Sequence, residues 1–81
     1  MPSTSVTVGS SVGLHARPAA IISEAAGGLG SSVTINGVDA SSSLMIMTLG
    51  AKYGDTVEVA GDDPADVDSV AALVEQDLDA D

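Results

Sequence analysis

The dipeptide Asn36-Gly37 constrains this chain more than any other feature. A two-residue type I′ turn needs positive φ at both central positions, and asparagine followed by glycine meets that need at the lowest steric cost. Val33 and Ile35 precede the pair, and Val38 follows it. The turn sets Ile35 opposite Val38 on one face, so residues 32–35 and 38–40 read as two short antiparallel strands with Val33 and Ile35 inward.

Two further stretches have the same period. Ser3-Thr4-Ser5-Val6-Thr7-Val8 and Asp55-Thr56-Val57-Glu58-Val59-Ala60 alternate polar and apolar residues, which predicts strands with Val6, Val8, Val57 and Val59 inward. Between and after the strands the period becomes helical. From Ala16 to about Ala26, positions Ile21, Ile22, Ala25 and Ala26 share a face, with Leu29 beyond. Pro18 suits the first turn, where its missing N–H would have had no helical acceptor. Gly27 and Gly28 are expected to end this helix through a left-handed residue. Ser41-Ser42-Ser43 then introduces Leu44-Met45-Ile46-Met47-Thr48-Leu49, a helix of about two turns with a serine N-cap and a stop at Gly50. It is apolar nearly all round, more than one side of a sheet can bury, so part of it should stay exposed. Asp63 as N-cap, Pro64 at the first position and Asp66 in the first turn open a last helix. Val67, Val70, Ala71, Val74 and Leu78 form its apolar stripe, and Asp77, Asp79 and Asp81 oppose the dipole and should fray its end.

The order is βαββαβα. Each strand has one apolar and one polar face, which indicates an α+β fold: a four-stranded antiparallel sheet covered on one face by three helices. At 81 residues the chain is one small domain. Apolar residues make up 44% of it, and their clear periodicity argues against disorder.

Charge narrows the function. Twelve acids face one Lys and one Arg, giving a net charge of −10. Nucleic acid and anionic membrane surfaces would both repel such a chain. There is no Cys, no signal-like segment and no long apolar run, so a cytoplasmic protein is expected. The acidity, the scarcity of Lys and the lack of Phe and Trp suit a high-salt cytoplasm.

The chemistry gathers in Gly13-Leu14-His15-Ala16-Arg17-Pro18-Ala19-Ala20. The single histidine lies just before a helix, and the single arginine lies two residues on. Neutral imidazole is a nucleophile and leaving group suited to pH 7. The helix N-terminus supplies N–H donors, from Ala16 and Arg17, and the Arg17 guanidinium adds a charge-assisted contact. Together these groups can accept a phosphoryl group, hold it and give it away. The plainer reading is a surface histidine beside a surface arginine. Other chemistries fit poorly. Gly9-Ser10-Ser11-Val12-Gly13 has the spacing of a nucleophile elbow but lacks the large sheet and downstream partners that motif needs. Gly27-Gly28-Leu29-Gly30 has no following Lys-Ser/Thr, so it is not a phosphate loop. One histidine without cysteines or nearby acids is a poor metal site, and no cofactor is expected.

The stretch Gly13-Leu14-His15-Ala16-Arg17-Pro18-Ala19 resembles the active-site signature of the HPr family, the histidine-containing phosphocarriers of the phosphoenolpyruvate-dependent sugar phosphotransferase system (PTS). A second family block, a serine followed by an apolar helix ending in Leu-Gly, resembles residues 42–50. The resemblance implies an open-faced β-sandwich with the element order already read. It also implies that His15 is phosphorylated on Nδ1 by phosphorylated Enzyme I, with Arg17 and the first helix amides stabilising the phosphate. An EIIA-type acceptor would receive the group, and exposed Leu44, Met45 and Met47 would help both partners dock. In some members a dedicated kinase phosphorylates a serine of the second block, which aligns here with Ser42. Ser43 stands where that block usually has an apolar residue, and the hairpin is shorter than is common.

The implied protein is a monomeric carrier acting with partner enzymes, not an enzyme with its own substrate. Two other classes remain open on the residues alone: a regulatory interaction module of the same fold acting through Ser42, and a salt-adapted scaffold without chemistry.

Overall fold

A computed structural model describes residues 2–11, 13, 14 and 16–76. His15, Leu78, Asp77, Asp79 and Asp81, on which expectations above fall, lie outside the described residues.

The hairpin forms as the turn chemistry requires. Asn36 has φ 49° and Gly37 φ 85°, both in the left-handed region of a type I′ turn. The turn joins β2 (Val33–Ile35) to β3 (Val38–Asp39) and sets Ile35 opposite Val38. The third strand is shorter than expected, because Ala40 already belongs to a turn. Asn36 also pins the hairpin to a neighbouring strand. Its backbone N–H donates to the Glu58 carbonyl at 2.8 Å, and its side-chain oxygen accepts from the Glu58 N–H at 2.8 Å.

Glu58 lies on β4 (Thr56–Gly61), which pairs with β2 on one side and with β1 (Ser3–Thr7) on the other. All pairs are antiparallel, in the order β1-β4-β2-β3. The register places Val6 opposite Val57 and Ile35 opposite Val59, on the face that carries the helices. Val57, Val59, Val33 and Ile35 are buried, while Ser3, Ser5, Thr7, Thr56 and Glu58 are exposed on the other face. A one-residue slip would exchange these two sets, so burial fixes the register.

The helices are α1 (Ala16–Gly27), α2 (Ser43–Thr48) and α3 (Pro64–Glu75). In α3, Asp63 is the N-cap and accepts from the Ala65 N–H at 2.9 Å, with Pro64 beginning the helix. Its stripe of Val67, Val70, Ala71 and Val74 is buried against the sheet and α1. Each such valine contributes about 1.5–3 kcal/mol through burial. Gly61 allows this close packing, since a Cβ there would lie 2.7 Å from the Ser32 carbonyl oxygen and 3.1 Å from a Val67 methyl.

The end of α1 differs from expectation. Gly27 is its last helical residue, and neither Gly27 nor Gly28 has positive φ. The Gly28 N–H instead lies 3.2 Å from both the Glu24 and Ala25 carbonyls, a shared bond that closes the last turn without a left-handed residue.

Candidate functional site

The loop from β1 to α1 is fixed from two directions. On one side it meets the C-terminal end of α3. The Gly9 N–H donates to the Val74 carbonyl at 3.1 Å, and the Ser10 hydroxyl donates to the Gln76 carbonyl at 3.3 Å. These donors satisfy acceptors near a helix end that otherwise lacks intrahelical partners. A Cβ on Gly9 would collide with the Glu75 carbonyl, so the approach needs glycine. Ser10 is fully buried, the one buried polar residue among the described residues.

On the other side the loop meets the segment that leaves α2. The Gly13 N–H closes a turn onto the Ser10 carbonyl at 2.8 Å, and the Leu14 N–H donates to the Ala51 carbonyl at 3.0 Å. Gly13 has φ +76°, and a Cβ there would lie 2.5 Å from the Ala51 oxygen and 2.9 Å from the Lys52 Cα. Both backbone conformation and close approach exclude a side chain. Leu14 is 2% exposed and anchors the segment in the core.

His15 follows directly in sequence, and α1 begins at the next residue, Ala16. The first amides of α1, including those of Ala16 and Arg17, have no carbonyl one turn earlier in the helix. Pro18 and Ala19 are buried, while Arg17 and Ala20 face solvent. The first turn therefore holds one side to the core and shows a guanidinium on the other.

Helix α2 packs against α1. Ser42 is its N-cap, with extended backbone and a hydroxyl that accepts from the Met45 N–H at 3.4 Å. Ile46 is buried, whereas Leu44 is 68% and Met45 42% exposed. The expectation of exposure fails for Met47, which is half-buried and packs against the core. A six-residue helix lying on α1 has room to bury one side, and Met47 falls next to Ile46 at that boundary.

Before α2, the Asp39 carboxylate accepts from the Ser41 hydroxyl at 2.7 Å and from the Ser41 N–H at 2.9 Å. These bonds, the hydroxyl first, hold the Asp39 carboxyl below its ordinary pKa, since both favour the charged form. No group of three or more metal-ligating side chains gathers among the described residues. No helix among them is long and apolar enough to cross a membrane. Two surface grooves lie elsewhere. One runs past Ala26, Leu29 and Ser41 at the end of α1, and the other past Ser5, Thr7 and Tyr53 beside β1. Neither is lined by Arg17 or by a residue of α2.

Sequence reasoning missed three residues near the loop. Ser10 looked like any loop serine, and nothing in the sequence marks it as buried. Tyr53, 67% exposed, was legible only as the single aromatic. Lys52 could have been found as the chain's only other cation.

Comparison with known proteins adds a family to this geometry. No curated protein matches the chain. Among solved structures, it is similar to HPr-C-His from Thermoanaerobacter tengcongensis, with 25% identity and a TM-score of 0.87, covering 100% of this chain and 99% of that one. It is similar to a phosphocarrier protein HPr from Bacillus anthracis str. Ames at 30% identity and a TM-score of 0.75, covering 90% and 95%. A mycoplasma histidine-containing phosphocarrier protein aligns at 27% identity and a TM-score of 0.70, covering 91% and 88%. The model of the PTS-HPr family, described as the PTS HPr component phosphorylation site, matches residues 2–76. With the fold and nearly the whole length in agreement, the chain belongs to the PTS-HPr family.

Proposed function

We propose that the chain is a phosphocarrier of the phosphoenolpyruvate-dependent phosphotransferase system and that His15 carries the phosphoryl group. The observation that carries this reading is the start of α1 at Ala16, which sets the N-terminal amides of a helix directly after the histidine in the chain. Phosphorylated Enzyme I is the donor. The neutral imidazole attacks phosphorus with its Nδ1 lone pair, and the bond from phosphorus to the donor's leaving group breaks, its electron pair staying with that group. The phosphoryl group then passes to an EIIA-type acceptor by the same exchange, and the imidazole is restored.

Arg17 and the amides of Ala16 and Arg17 stabilise the phosphoryl oxygens in both steps. Exposed Leu44 and Met45 give partners an apolar surface, and methionine adapts to more than one of them. Half-buried Met47 supports that surface from beneath more than it contacts partners. The carrier works as a monomeric single domain in the cytoplasm, and its acidity is an adaptation to high salt.

A regulatory module acting through Ser42 is the second reading. Its position as N-cap supports it only weakly, because the cap alone explains a serine there. Adding a purified EIIA-type acceptor to the chain phosphorylated by phosphoenolpyruvate and its cognate Enzyme I separates the two. A carrier loses its phosphate to the acceptor; a phosphate that stays on the chain overturns the carrier reading.

A further inference from the structure

The two cations of the chain lie far apart in sequence, yet the fold brings Lys52 to the loop that leads into the helix bearing Arg17. Arg17 follows His15 by two residues. The Lys52 backbone packs against Gly13, which precedes His15 by two residues, closely enough that a Cβ on Gly13 would lie 2.9 Å from the Lys52 Cα. The Leu14–Ala51 hydrogen bond holds the two segments in this register. Lys52 is thus packed on the described residues that lead directly into His15 in the chain. Lys52 is exposed, and Asp55 fixes its backbone by accepting from the Lys52 N–H at 2.9 Å.

This placement matters because of the surrounding field. The molecule carries 12 acids against these two cations, and a phosphorylated partner brings further negative charge. Like charges slow encounter, and a local patch of opposite sign restores it. From this juxtaposition we infer that Lys52 is a second cation of the phosphoryl-transfer encounter, set beside the Gly13-Leu14 segment that leads to His15 and steering the anionic phosphoryl group of the phosphorylated donor. The inference rests on the carrier reading and adds to it a specificity-determining residue outside both sequence blocks. The phosphoryl exchange is the one written above. Lys52 takes no proton and forms no bond, and its contribution lies in association.

The test is the rate of phosphoryl transfer from phosphorylated Enzyme I to wild type, Lys52→Gln and Lys52→Arg, measured at low ionic strength and at molar KCl. Lys52→Gln should lower kcat/KM roughly threefold to tenfold at low salt, mainly through KM, and the gap should close as KCl rises. Lys52→Arg should restore the wild-type rate. An unchanged rate for Lys52→Gln in dilute buffer overturns the inference, as does an equal loss at every salt concentration carried by kcat. If the wild type takes no phosphoryl group at all, the carrier reading falls and the inference falls with it.

Discussion

The Leu14 N–H donates to the Ala51 carbonyl at 3.0 Å, joining the segment that enters α1 to the segment that leaves α2. Through this bond the segment that leads to the proposed phosphoryl site is held to the segment that follows the exposed α2 surface. Disturbing the junction should therefore affect both chemistry and recognition.

Gly13→Ala tests the junction. The substitution puts a side chain at φ +76° and within 2.5 Å of the Ala51 oxygen. The left-handed conformation alone costs about 1–2 kcal/mol, and the backbone clash adds to it. Urea denaturation should show that loss or more, and phosphoryl acceptance should fall beyond what the unfolded fraction explains.

Neighbours on α2 should separate stability from recognition. Ile46→Ala opens a cavity at a fully buried site and should cost about 2–5 kcal/mol. Leu44→Ala and Met45→Ala remove exposed surface and should change stability by less than about 0.5 kcal/mol. The latter two should nonetheless raise KM for transfer from Enzyme I. A stable variant with wild-type KM would remove its residue from the docking surface.

Ser42→Ala deletes the hydroxyl that accepts from Met45, and a cap bond of 3.4 Å on a six-residue helix should cost about 0.5 kcal/mol. Ser42→Asp keeps a capping oxygen and adds a charge at the docking edge. Thermal melts should show it near wild type while transfer slows. Equal transfer by both variants would leave Ser42 as a cap alone.

Asp39 gives a pH signature. Its folded pKa is depressed by the Ser41 hydroxyl and N–H, so its contribution to stability is present above the unfolded value of about 4 and lost as pH falls through the lower folded value. The stability difference between wild type and Asp39→Asn should be constant above that window and shrink below it. Denaturation midpoints measured between about pH 2 and 6 would show this.

The parts of the fold carried by local pattern were legible in the chain. Asn36-Gly37 fixed a turn, alternating valines fixed strand faces, and Asp63-Pro64 fixed a helix start, because each depends on residues within one or two turns. The failures were physical too. Gly27 and Gly28 offered a left-handed helix end, but a shared bond from the Gly28 N–H to Glu24 and Ala25 made it unnecessary. Met47 is half-buried because α2 lies on α1, which no helical period reveals. At the candidate site, His15 and Arg17 were visible as a local motif. The Ser10–Gln76 bond and the placement of Lys52 beside Gly13 join distant segments, and composition alone hinted at the second.

The central claim is that the chain carries phosphate on His15. The most direct measurement is to incubate wild type and His15→Ala with phosphoenolpyruvate and cognate Enzyme I, then test the bound phosphate in acid and in base. The account predicts one phosphate on the wild type, lost in acid and kept in base, and none on His15→Ala. A wild type that stays unphosphorylated, or a His15→Ala variant that carries the same phosphate, would contradict it.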